Sequence, residues 1–372
     1  MRPYSATSAS RHRLREGSGS VLELYATSPR ADEPSPTHYR ERALEVARWA
    51  EASACRGLLI FTDHHAGDPW ALGQFLLERT ERLVPLVAAQ PVYMHPFTAA
   101  RLVSTMSFLY GRPVDLNLVT GGHPDHLRAL GCRLDHDERY DQLVEYGRII
   151  TALLVDQEPM SHAGRHYDMP EALLRPALPA DLMPRIFVAG ASEACHRAAR
   201  ELGVVRLTYP RALSEYEPGS SALAGAGIRV GIIARDTGEE AWRVAHERCP
   251  KDPVAERLAR IASRSTDSHW YRRLQADAET RLSTDDCYWL YPLRSGREYC
   301  PYLVGSHAEV ARTFARYLDM GITTLILQAP RAEADIRNAE IAVRLAESLR
   351  SVATPAGGPA AESVPVGSTD GR

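Results

Sequence analysis

Short apolar runs recur along the chain, and between them lie longer segments in which apolar positions return every three or four residues. The runs are SVLELYA from Ser20, GLLIFTD from Gly57, LVPLVAAQ from Leu83, VDLNLV from Val114, PRIFVA from Pro184, VVRLT from Val204, IRVGIIA from Ile228 and ITTLILQ from Ile322. Continuous rather than alternating hydrophobicity predicts strands of a parallel sheet covered on both faces. The segments between them predict helices: about His38 to Ala54, one opening at Asp68-Pro69-Trp70, Pro96 to Tyr110, one opening at Asp135, Glu193 to Leu202 capped by Ser192, one after Thr237, Ser306 to Met320, and about Ala332 to Leu349. Eight strand–helix alternations predict an α/β protein, a (β/α)8 TIM barrel with insertions. A doubly wound sheet is the alternative, but no Gly-x-Gly-x-x-Gly follows the second strand. Residues 166–176 read as an irregular excursion. The stretch of about 250–300 loses the rhythm and reads as a mobile lid.

The ends change character. Residues 1–19 are rich in Ser and Arg, and 351–372 in Pro, Gly, Ala and Ser; both are too poor in large apolar groups to offset their ordering entropy, which leaves 20–350 as a single barrel domain between disordered tails. Of 372 residues, 44% are hydrophobic, and the formal net charge is −3. That balance offers no basic field for nucleic acid or an anionic membrane, so a small molecule is the expected partner. With no 18-residue apolar run and no apolar core near the N-terminus, the protein reads as cytoplasmic. The six cysteines form no C-x-x-C pair, which speaks against a zinc ribbon or a disulfide framework.

The chemistry concentrates between Arg112 and Tyr140. The strand through Asn117 breaks at Thr120-Gly121-Gly122, and Asp135-His136-Asp137-Glu138 then opens a helix with acids in its first turn. A strand end, a polar loop and a helix mouth together suit a phosphorylated cofactor. Ser192 and the free N–H groups behind it offer a second anion site, with Arg139 near in sequence to add charge.

In this stretch the chain resembles the flavin-dependent bacterial-luciferase-like monooxygenases, nearest the alkanesulfonate monooxygenase branch. The resemblance rests on Asn117-Leu118-Val119-Thr120-Gly121-Gly122, Leu134 to Tyr140, Gly190-Ala191-Ser192-Glu193, Leu207-Thr208-Tyr209, Arg235 to Trp242 and Leu303-Val304-Gly305-Ser306, in collinear order. It implies a barrel that takes FMN, as FMNH2 supplied by a flavin reductase, and uses O2 to oxygenate a small substrate. It further implies that Asn117 and Thr120 touch the isoalloxazine, that Tyr140, Gly190, Ala191 and Ser192 hold the phosphate, and that Thr62 and Asp63 join the cofactor site. Tyr209 matches a substrate position, Arg229 is retained as a catalytic candidate, and the lid arginine falls on Arg294 or Arg297. Relatives of this kind are commonly dimers or tetramers.

Departures bear on the substrate. Ala66 stands where the alkanesulfonate enzymes carry a cysteine, Gly231 replaces a histidine, and Gln328-Ala329-Pro330-Arg331 lacks their tyrosine. Pro91 to Pro96 and Pro69-Trp70 resemble instead a natural-product sub-branch whose members hydroxylate acyl or aminoacyl groups on a carrier protein. The alternatives are a desulfonating monooxygenase, a deazaflavin-dependent oxidoreductase and a non-catalytic flavin-binding barrel. Oxygen activation needs a dry pocket with a positioned proton donor or acceptor. Among His64, His65, His95 and His123, each at an expected strand end, His64 and His95 are the first candidates. A metal is not expected, because adjacent histidines point to opposite sides of an extended chain and no H-x-H or H-E-x-x-H spacing occurs.

Overall fold

Eight parallel strands close on themselves in the computed structural model, which describes residues 22–30, 35–64, 66–263, 266–280 and 287–353. The chain runs β1 (Glu23–Thr27), α1 (Pro36–Glu51), β2 (Gly57–Ile60), α2 (Pro69–Leu77), β3 (Val84–Ala89), α3 (Pro96–Tyr110), β4 (Asp115–Leu118), α4 (Pro124–Ala129) and α5 (His136–Val155). It continues through β5 (Met160–Ala163), β6 (Asp168–Ala172), β7 (Ile186–Ala189), α6 (Glu193–Leu202), β8 (Val205–Thr208), β9 (Gly227–Arg235), α7 (Gly238–Arg248), α8 (Pro253–Ser263) and α9 (His269–Thr280). The last elements are β10 (Tyr288–Trp289), α10 (Tyr291–Arg294), β11 (Tyr302–Ser306), α11 (His307–Asp319), β12 (Thr324–Leu327) and α12 (Glu333–Ala353). The ring is β1-β2-β3-β4-β7-β8-β9-β12, closed by the β12–β1 pairing, so the expected (β/α)8 barrel is present and all eight expected strands form its wall.

Strand residues alternate between the barrel interior and the helix layer. Tyr25, Leu59, Leu86, Phe187, Leu207 and Ile326 fill the interior. Under them sits Asp115, fully buried. It accepts hydrogen bonds from the Tyr25 hydroxyl (2.8 Å), Arg56 Nε (2.8 Å) and the Arg185 backbone N–H (2.8 Å). Two residues further along four of these strands come the polar side chains of Thr27, Asn117, Tyr209 and Gln328, and Arg229 of β9 joins them through its bond to Gln328. The barrel is plugged at its N-terminal end and polar towards its C-terminal end, where barrel enzymes place their chemistry.

Helix starts follow local chemistry. Asp135 and Glu138 form a reciprocal capping box on α5, and Ser192 caps α6 by accepting from the Cys195 N–H (3.2 Å). Buried Asp335 locks the start of α12, accepting from Arg235 (3.0 Å), Arg248 (3.0 Å) and the Arg331 and Ala332 N–H groups.

Three expectations change. The 166–176 excursion belongs to a β5–β6 hairpin. Strand β9 is nine residues long; its first half pairs with β8 and β12 and its second half with β11, adding a strand outside the ring. Helix α12 continues to Ala353, past the expected boundary at 350. The tails at 1–19 and 354–372, His65, and 264–265 and 281–286 of the expected lid lie outside the described residues.

Candidate active site

The C-terminal end of β4 supplies Asn117 and Thr120, both buried. Asn117 Oδ1 has no hydrogen-bond partner, an unusual state for a buried amide in a folded interior and one that an external donor would relieve. Tyr140, on the second turn of α5, reaches across to donate to the Ala189 carbonyl at the end of β7 (3.1 Å). Burial drives its phenol far above the usual range, and the neighbouring Thr120 and Ser192 hydroxyls only partly offset that. Next to it is Gly190, with φ +150°, a backbone state closed to most side chains; a Cβ there would collide with the Tyr140 hydroxyl and lie 3.0 Å from Cys195 Sγ. Burial also lifts the Cys195 thiol to about 11, against the opposing Tyr140 hydrogen bond, which keeps it a neutral wall. Thr120, Tyr140, Gly190 and Ser192 therefore converge on one corner of the barrel rim, with exposed Ala191 at its edge and Asn117 on β4 next to β7. The mouth of α6 behind Ser192 suits an anion.

A second group links β9 to the C-terminal end of β12. Arg229 Nε donates to Gln328 Oε1 (2.6 Å), Gln328 Nε2 donates to Glu298 Oε2 (2.8 Å), and Arg331 closes the chain at 3.6 Å from Glu298. The side chain of Gln328 thus fixes the orientation of Arg229, a role that neither residue's position in sequence advertises. Tyr209 stacks obliquely on Trp270 with ring centroids 3.6 Å apart, and its phenol is pushed well above the usual range by burial, with Arg229 opposing. At residue 231 a Cβ would run into the ring of Tyr302, which pairs opposite it on β11.

The start of α9 crosses this mouth. Thr266 hydrogen-bonds the Gly122 carbonyl, Asp267 pairs with Arg139 (2.5 Å), and His269 stacks on His136 (4.6 Å). Arg139 is buried and donates to Asp267 and to the Leu134 carbonyl (3.3 Å), which fastens this crossing segment. The segment of about 250–300 is also more regular than a loop lid, being built from α8, α9, β10 and α10 in its described parts.

The remaining candidates are less central. His64 and His95 are exposed and have different neighbours: His64 stacks on His126 (4.8 Å), whereas His95 caps α3 and packs edge-on against Tyr167 (5.5 Å). Thr62 is half-buried at the end of β2, and exposed Asp63 lies close enough to Tyr93 to raise its phenol, second to burial. Arg294 and Arg297 face the α8 segment, paired with Glu256 (2.9 Å) and Asp252 (3.3 Å). The described residues contain no cluster of three or more His, Cys, Asp or Glu able to hold a metal ion.

A profile described as luciferase-like monooxygenase matches residues 23–324. The chain belongs to that family. Among curated relatives, 4-(gamma-L-glutamylamino)butanoyl-[BtrI acyl-carrier protein] monooxygenase BtrO of Niallia circulans is 32% identical over 314 residues, covering 81% of this chain and 92% of the relative. Among solved structures, the EDTA monooxygenase of Chelativorans sp. BNC1 is similar with a TM-score of 0.68 at 16% identity, over 88% of this chain and 94% of that one. The oxygenating constituent of 3,6-diketocamphane monooxygenase from Pseudomonas putida, in complex with FMN, has a TM-score of 0.64 at 17% identity over 88% and 98%. These likenesses carry the luciferase-like fold. Membership makes the chain a monooxygenase of flavin type, and the orphaned Asn117 amide and the Gly190 corner are features a flavin nucleotide fits.

Proposed function

We propose that this luciferase-like monooxygenase takes reduced FMN from a separate flavin reductase and uses O2 to place one oxygen atom on an acyl or aminoacyl group held by a carrier protein, the second oxygen leaving as water. The supporting observation is the convergence of Thr120, Tyr140, Gly190 and Ser192 on one corner of the barrel rim, with the unpartnered buried Asn117 amide on the strand that leads to Thr120, together with the carrier-bound substrate in the name of the Niallia circulans relative.

In this reading the Ser192 hydroxyl and the first-turn N–H groups of α6 bind the phosphate, Tyr140 closes over it, and Asn117 and Thr120 hydrogen-bond the ring edge. The reduced isoalloxazine supplies the electrons that make O2 reactive. Trp270 and Tyr209 shut water out of the cavity, and Arg229, held by Gln328, places a fixed cation where a substrate carboxyl or a developing negative charge is stabilised. His64 and His95 sit exposed in the loops after β2 and β3. A sulfonate substrate is disfavoured by the Tyr302 ring that fills the space over Gly231.

The test is mass spectrometry of products after incubation with reduced FMN, O2 and a panel of free and carrier-bound acids. The expected result is a gain of one oxygen mass on carrier-bound forms only. Oxidation of free acids alone, or of none, refutes the reading.

A further inference from the structure

Helix α8 turns an apolar stripe to solvent. Val254, Leu258 and Ile261, spaced four and three residues apart, share one helical face and are 70%, 62% and 56% exposed. Single exposed apolar residues are ordinary, whereas three aligned on one helix form a patch of the kind that marks a contact surface. The opposite face of α8 accounts for the helix's packing: Ala259 is buried against Gly296, and Glu256 takes Arg294 and the Tyr291 hydroxyl. The stripe is therefore not required for the fold.

Charge on this face is mostly positive, with Arg260 paired to the exposed Glu279 of α9 (2.9 Å). The acids of the segment, Asp252 and Glu256, are neutralised by Arg297 and Arg294 on the inner side. Lys251 and Arg257 are exposed, and Arg257 stands beside the stripe one turn from Val254 and Ile261. The surface is an apolar strip edged with positive charge, complementary to an acidic helical protein with an apolar ridge.

Its position is also specific. Helix α8 ends at Ser263, three residues before Thr266, which hydrogen-bonds the Gly122 carbonyl at the cavity mouth. Three residues span at most about 10 Å, so the strip leads to the rim that Trp270 and Asp267 cover. A macromolecule seated on it would bring a flexible arm to the entrance.

We infer that the outward face of α8 (Val254, Arg257, Leu258, Ile261) is the docking surface for the acidic acyl carrier protein that presents the substrate. The inference rests on the carrier-bound reading above and adds to it where the carrier sits.

The test uses the full chain and, as probe, the Niallia circulans acyl carrier protein loaded with 4-(gamma-L-glutamylamino)butanoate. Arg257→Glu with Leu258→Ser lies on exposed positions, and its melting temperature is expected to match that of the wild type. Loss of a central apolar contact and inversion of a charge should weaken carrier binding at least about tenfold by calorimetry and raise KM for the loaded carrier in step. Turnover of a short pantetheine thioester of the same acyl group, and the molecular mass by light scattering, should not change. Equal carrier binding by the variant, no saturable binding by the wild type, or a changed mass that makes the face a contact between copies of this chain overturns the docking assignment. A wild type that binds the carrier through this face yet leaves its acyl group unoxidised would instead sink the oxygenation reading and leave the surface standing.

Discussion

Replacing Gly190 by alanine should damage flavin binding more than it damages the fold. The backbone at φ +150° is open essentially to glycine alone, and forcing another residue into such a state costs about 1–3 kcal/mol. The new methyl would also collide with the Tyr140 hydroxyl and press on Cys195 Sγ. The cheapest relief is for Tyr140 to swing off the Ala189 carbonyl, giving up a hydrogen bond worth about 0.5–1.5 kcal/mol. In doing so it vacates the corner assigned to the phosphate, where a hydrogen bond to a charged group contributes about 1.5–3 kcal/mol, or roughly 10- to 150-fold in Kd. FMN titration by fluorescence quenching, read beside a thermal melt, measures both effects. Tyr140→Phe serves as the companion variant, since it removes the hydroxyl without touching the backbone and should reproduce most of the affinity loss. Wild-type affinity in both variants would refute the placement of the phosphate at this corner.

Asp335→Asn should cost about 3–5 kcal/mol by leaving Arg235 and Arg248 without their shared buried carboxylate, read as a lowered denaturation midpoint. Burial alone would raise the Asp335 pKa, but Arg248, the Arg331 N–H and Arg235 outweigh it and hold it below the usual range. Its stabilisation is accordingly complete above the ordinary value of about 4 and is lost as pH falls through the lower folded value; the variant should show a shallower acid limb, and an unchanged limb would contradict this. Gln328→Leu removes the amide between Arg229 and Glu298, so kcat should fall at least about tenfold while the Kd for FMN holds; a lowered melting point with normal kcat would reduce the relay to a packing role. Asp267→Ala releases the crossing segment from Arg139, and a coupled peroxidase assay should show more O2 ending as hydrogen peroxide; an unchanged coupling ratio would deny the segment a shielding role.

The barrel wall was legible because strands buried on both faces read as unbroken Val, Ile and Leu runs, and GLLI, VPLVAA and TLIL have no other comfortable conformation in a chain of this rhythm. The β5–β6 hairpin was not, since Met160-Ser161-His162-Ala163 is short and Pro170 interrupts its partner. Strand β11 was hidden because Tyr302 to Ser306 runs directly into a capped helix and pairs with the upper half of β9, some seventy residues earlier. At the site, local signals found what local structure builds: the helix start at Asp135, the Ser192 cap and the strand end at Asn117. They could not find Arg139 with Asp267, 128 residues apart, or Gln328 with Glu298, whose meeting is decided by how the 250–300 segment folds back. Arg294 and Arg297 illustrate the same limit, their partners being acids of α8 and its approach.

The pairing of Gly231 with Tyr302 makes those two positions a single choice. Histidine placed at 231 alone meets an aromatic ring, an overpacking worth about 1–3 kcal/mol or more. Shrinking 302 alone opens a hole in the wall between β9 and β11, at a cost of about 3–5 kcal/mol. Each single step is worse than either end point, so retuning this cavity towards sulfonates calls for both exchanges at once, and one-residue-at-a-time selection would find the way barred.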